Sequence, residues 1–101
     1  MKEPNINLIR KKLNIIEEGK FIGYFIFNPL RNDFLFSYKG DLEIAFFEWT
    51  ETPEYGLCFK LYKKAFKIIK RFELNDKAII LMGFEFGSKL GFVEVSEELI
   101  N

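Results

Sequence analysis

Apolar residues recur every three to four positions in two stretches of this chain and alternate or run together in five others, and these two rhythms predict its elements. Ile6, Ile9, Leu13 and Ile16 share one face of a helix expected from Asn5, a capping residue after Pro4, to Glu18, with Gly19 at its stop. Lys20 to Asn28 reads KFIGYFIFN, placing Phe21, Phe25 and Phe27 on one face and Ile22, Tyr24 and Ile26 on the other. Apolar groups on both faces predict a central strand. Past a polar turn from Asn28-Pro29 to Asp33, Phe34, Phe36 and Tyr38 alternate with Leu35 and Ser37 in a second strand. Lys39-Gly40-Asp41 supplies a turn, and Leu42, Ile44 and Phe46 alternate with Glu43, Ala45 and Phe47 in a third strand ending near Trp49.

The second helical rhythm is the stronger. Leu57, Cys58, Leu61, Tyr62, Ala65, Ile68, Ile69 and Phe72 fall on one side, and Lys60, Lys63, Lys64, Lys67, Lys70 and Arg71 on the other. Thr52-Pro53-Glu54 resembles a helix start, while Gly56 argues for a start one turn later. Lys77 to Phe86 and Lys89 to Val95 then flank Gly87-Ser88 as a hairpin, and Ser96-Glu97-Glu98-Leu99 can cap a terminal turn. The order α-β-β-β-α-β-β predicts an α+β fold: an antiparallel, curved sheet of about five strands with two helices packed on one face. Gly23, Gly83 and Gly91 interrupt the strands, where they either accommodate phenylalanine rings or open a concave pocket.

Composition bounds these elements to one domain over residues 1–101, with 49% apolar content, ample for one core. The longest apolar runs, Phe21 to Phe27 and Ala78 to Phe84, fall far short of the ~20 residues of a membrane helix. A single cysteine, Cys58, and no charged leader before an apolar run point to a cytoplasmic protein. Phenylalanine on both faces of the first strand leaves homodimerisation open.

Thirteen phenylalanines and no histidine mark a chain built for packing and short of ordinary catalytic and zinc chemistry. Cys58, placed on the apolar side of the second helix, reads as a small buried hydrophobe. Glu85 and Glu94 in the last two strands are the one candidate acid pair. No phosphate-binding glycine loop is present. The expectation is a protein without enzymatic activity, metal or cofactor.

Charge adds the remaining signal, because 15 basic and 15 acidic residues cancel overall yet segregate locally. Asp41, Glu43, Glu48, Glu51 and Glu54 fall in a segment without a base, which also holds Trp49 and Tyr55. Aromatic anchors among like charges suit a protein-binding surface, with carboxylates steering a basic partner and Trp49 or Tyr55 holding it. The alternative is a solubilising edge strand with its tryptophan tucked into the core. Lys60, Lys63, Lys64, Lys67 and Arg71 form the rival surface, for nucleic acid, although the helix face they share carries neither stacking aromatics nor a mixture of base-reading side chains.

The acid-and-aromatic stretch EIAFFEWTETPEY at Glu43 to Tyr55 and the strand-rich end GFEFGSKLGFVEVS give the chain, as a small α+β domain, a resemblance to immunity proteins of bacterial toxin systems, including contact-dependent growth inhibition. The resemblance is one of type and carries no diagnostic motif. It implies a cytoplasmic protein that binds and neutralises a cognate toxin. Net charge near zero departs from the strongly acidic members that inhibit DNases. Small phage proteins that inhibit bacterial defence complexes share the same profile.

Overall fold

The computed structural model describes residues 3–14, 19–41 and 43–95. In chain order it contains helix α1 (Ile6–Leu13), strands β1 (Lys20–Asn28), β2 (Asp33–Gly40) and β3 (Ala45–Thr50), a short 3-10 turn at Pro53–Tyr55, helix α2 (Tyr62–Arg71), and strands β4 (Ile79–Phe86) and β5 (Lys89–Glu94). The strands form one antiparallel sheet in the order β3-β2-β1-β4-β5, so the expected α+β architecture and element order are present and β1 is central. The terminal turn expected at Ser96 to Leu99 lies outside the described residues.

Both helices pack on the same face of the sheet. Ile9 of α1 and Tyr62, Ala65, Ile68 and Ile69 of α2 join Tyr24, Ile26, Leu35, Ile80, Met82 and Phe84 in the principal core. The opposite face buries a smaller cluster, Phe25, Phe34 and Leu81, flanked by Phe27 and Phe92. Its rings meet at centroid separations of 4.8 to 6.1 Å, and the clearest edge-on pair is Phe25 with Phe92. Gly83 lies beneath this cluster: a Cβ there would sit 2.6 Å from the Phe25 ring, so this glycine makes room for packing.

Strand β1 departs from simple alternation. A bulge between Phe21 and Gly23 inserts Ile22 as an extra residue against β4. Phe21 therefore packs with Tyr24 and Phe84 on the helical side, while Ile22 joins Phe25 and Phe27 on the other. The faces expected for Phe21 and Ile22 are exchanged, because one inserted residue reverses a period-two pattern.

The sheet also splits. Strands β1 and β4 pair from Lys20 with Glu85 to Phe27 with Ile79, interrupted by the bulge at Ile22, whereas β1 and β2 pair only at Phe27 with Phe34 and Asn28 with Asp33. Beyond that point the segment Leu57 to Phe59 wedges between them. Leu57 N–H donates to Leu35 O at 2.9 Å, and Tyr24 and Phe59 exchange both backbone hydrogen bonds, at 2.7 and 2.8 Å. Gly23 permits this approach: its φ of +149° suits glycine, and a Cβ would collide with Cys58 Sγ and lie 2.7 Å from Phe59 O.

The helix boundaries are corrected for identifiable reasons. Helix α1 starts as expected, with Leu8 N–H donating to Asn5 Oδ1 at 3.1 Å, but it ends at Leu13 because Asn14 adopts a left-handed conformation that caps it. Gly19 is therefore not its stop, and residues 15–18 lie outside the described chain. Helix α2 starts at Tyr62, since Leu57 to Phe59 is committed to the sheet junction. Leu57, Cys58 and Leu61 thus precede the helix they were expected to join. Its cap is distant in sequence: the Glu3 carboxylate accepts from Tyr62 N–H at 2.7 Å and from Lys63 N–H at 3.0 Å. A carboxylate at this end satisfies two otherwise unpaired donors and complements the helix dipole.

Candidate functional site

Two charged surfaces emerge from this frame, and they differ in construction. The acidic one runs along β3, an outer strand of the sheet. Alternation sends Ala45, Phe47 and Trp49 toward the helices, where they pack against the principal core, and leaves Phe46 and Glu48 on the other side. Just before the strand, Ile44 follows a turn organised by Asp41, whose Oδ1 accepts from Glu43 N–H at 3.0 Å and Ile44 N–H at 3.1 Å. Ile44 and Phe46 are 65% and 64% exposed, a large apolar presentation for nearby positions on one hairpin.

The sequence-selected acidic residues are therefore not equivalent. Asp41 holds the hairpin turn, and Glu48 accepts a hydrogen bond from the Ser37 hydroxyl opposite it. Glu43, Glu51 and Glu54 are exposed. Trp49 is partly buried against the core, whereas Tyr55, in the 3-10 turn, is 66% exposed. Alternation alone did not single out Ile44 and Phe46, because this stretch is apolar at nearly every position and both phases fit it.

Glu54 belongs to a different neighbourhood. It lines a hollow of about 360 Å³ on the non-helical side with Phe25, Cys58 and Glu85. Cys58 is exposed and not the buried hydrophobe expected, because it precedes the helix; partial burial of its thiol still pushes it above its ordinary range, with nearby Lys60 pulling it back. Its Sγ lies 3.2 Å from Ile22 O, the carbonyl of the bulge residue, and Lys60 Nζ donates to that same oxygen at 3.2 Å. Glu85 pairs with Leu90 and Glu94 with Leu81, so the two acids stand four residues apart along the hairpin, about 13 Å, and do not form a pair. Among the described residues, no three His, Cys, Asp or Glu side chains come together as metal ligands.

The basic surface is a groove of about 700 Å³ between α2 and the outer part of β2. Lys63, Lys64, Lys67, Lys70 and Arg71 line it; Lys60, engaged at Ile22 O, does not. Arg71 Nη2 reaches Gly40 O at 3.4 Å, tying the end of α2 to the hairpin. Three aromatic side chains also reach the groove: Tyr38 from β2, Phe59 from the sheet junction and Phe66 from α2. The expectation that the lysine face carries no aromatics is corrected: Phe66 lies on α2 itself among the lysines, and Tyr38 and Phe59 arrive from other elements that a helical projection cannot display.

At the other end of α2, the Glu3 clamp touches a tyrosine pair. Tyr24 and Tyr62 meet edge-on with centroids 5.7 Å apart, and the Tyr24 hydroxyl is pushed up to about 12 by burial, with further contributions from Glu3 and Tyr62. This is a structural knot inside the fold, which adjoins the basic surface where Glu3 meets the backbone of Lys63.

No known protein family, curated protein or solved structure matches this chain. Among the described residues no helix is long and apolar enough to cross a membrane.

Proposed function

We propose that this protein is a non-catalytic, protein-binding inhibitor of the immunity type, which neutralises a cognate bacterial toxin in the cytoplasm by docking it on the β3 edge. The observation that carries this reading is the exposure of Ile44 and Phe46 beside Glu43 and Glu48. Exposed apolar side chains supply the area that holds a complex together once water is excluded, and carboxylates around them steer a basic partner to the surface. Strand β3 is an edge of the sheet, paired on its outer side with no strand among the described residues, and a partner strand can extend it there. The anchor role expected of Trp49 passes to Ile44 and Phe46, because Trp49 contributes to the core, while exposed Tyr55 remains available.

The test is affinity capture from bacterial lysate with the wild-type protein and with a Glu48→Lys, Glu51→Lys variant, with captured protein identified by mass spectrometry and assayed for activity. One stoichiometric partner whose activity falls on addition of the wild-type chain is expected. The double reversal should slow association by about tenfold or more at low salt. An inhibited partner that binds both proteins equally fast would remove this surface from the reading, and a partner whose activity is unchanged would remove the inhibitor role.

A further inference from the structure

The α2 groove is independent of the β3 surface and has a different chemistry. Its rim is cationic along the helix: Lys63 and Arg71 are eight residue steps apart, about 12 Å of axis. None of its described lining residues is acidic, and among the described residues the one side-chain ion pair, Arg31 with Asp33, lies elsewhere. Among the described residues the five cationic side chains form no ion pair, with Glu3 meeting only the backbone N–H of Lys63, and such a row suits a counterpart that carries several negative charges in succession.

The floor narrows the choice. Tyr38, 36% exposed, rests edge-on against Phe72 at 5.7 Å and presents a supported ring, with Phe59, Phe66 and Ile68 completing the apolar lining. Flat rings beneath a cationic rim match alternating bases and phosphates. An acidic peptide is a poorer fit. Strand β2 carries β3 on one side, and elsewhere along it Leu35 O is taken by Leu57 N–H and Gly40 O by Arg71 Nη2, so an extended peptide would find only a short, interrupted ladder. The lining contains no Asn, Gln, Ser or Thr to read base edges, so recognition there is tolerant of sequence.

We propose that the groove between α2 and β2 binds single-stranded nucleic acid, with Lys63, Lys64, Lys67, Lys70 and Arg71 on the phosphates and Tyr38 stacking a base. The site does not depend on the β3 reading, and either can fail alone.

The experiment is fluorescence anisotropy of the full chain with labelled dodecamers of deoxythymidylate and uridylate, at salt concentrations between about 50 and 200 mM. Inorganic polyphosphate and polyglutamate serve as competitors. Binding should weaken steeply with salt. Lys64→Glu with Lys67→Glu should reduce affinity at least tenfold and flatten the logarithmic salt slope by about one for each phosphate no longer neutralised. Tyr38→Leu preserves an apolar contact with Phe72 while removing the stacking ring, and should cost between about fivefold and a hundredfold in affinity. The Glu48→Lys, Glu51→Lys variant should bind the oligonucleotides at least as tightly as wild type. Circular dichroism melting confirms that each variant is folded. No binding at low salt, indifference to the lysine reversals, or an unchanged affinity in Tyr38→Leu would each overturn the proposal. Competition by polyglutamate or polyphosphate as effective as by unlabelled oligonucleotide would overturn it in favour of a generic polyanion or acidic protein partner.

Discussion

The β1–β4 half of the sheet and the β2–β3 wing are made from similar residues and turn out differently. Along β4, Leu81, Met82 and Phe84 are all buried, and β1 is buried from Gly23 through Ile26. Along β2, burial stops at Leu35, a bulge follows between Leu35 and Ser37, and Phe36 and Tyr38, with Phe46 on β3, are exposed. Both regions are rich in phenylalanine, so hydrophobicity alone does not distinguish them. What separates them is cover: helices and the Phe25 cluster enclose β1 and β4 on both faces, while the outer part of the wing carries a layer on one face only. Apolar groups left over in the wing are therefore surplus to folding, and both proposed binding surfaces involve it.

The contrast can be broken most severely at Gly23. Gly23→Val places a side chain against Cys58 Sγ and Phe59 O at a backbone conformation valine avoids, and should destabilise the protein by about 3 kcal/mol or more in urea denaturation. Loss below about 1 kcal/mol would mean that the Leu57 to Phe59 junction yields easily and the two halves are not fixed by it. A smaller effect is expected from Glu3→Ala, which removes two hydrogen bonds and a favourable charge at the start of α2. The loss should be about 1–2 kcal/mol by the same measurement. If stability were unchanged, the helix would owe its start to packing alone. Smallest of all, Phe46→Ser in the wing should shift stability by no more than about 0.5 kcal/mol. A loss like that of a core phenylalanine, about 3 kcal/mol or more, would place Phe46 in the folding core and remove it as a docking residue.

Much of the frame was legible in local sequence. The basic face of α2, the Asn5 cap and the element order follow from spacing and capping residues, and the structure contains each of them. The features that shape the candidate sites were not legible, because they rest on partners far apart in the chain. Glu3 meets the start of α2 across most of the sequence, and Tyr38 and Phe59 reach the lysine groove from separate elements. The β1 bulge hides in a run where every phase is apolar, so that Ile22 and Phe21 can trade faces without a visible break in pattern. Likewise Trp49 and Phe46 are both aromatic members of one strand, and only the side on which the helices pack makes one a core residue and the other a surface residue.

The wedge at Leu57 to Phe59 has a kinetic consequence. Its hydrogen bonds reach back to Tyr24 and Leu35 on two different strands, so the junction cannot close until β1 and β2 have already met at their shared turn. Hairpin formation is a local event with a small entropic cost, and closing the wedge has to overcome the entropy of a longer loop afterwards. The pairing of β1 with β4 joins residues farther apart in the chain still, so loop closure places the outer wing and its exposed side chains before the β1–β4 pairing completes the sheet.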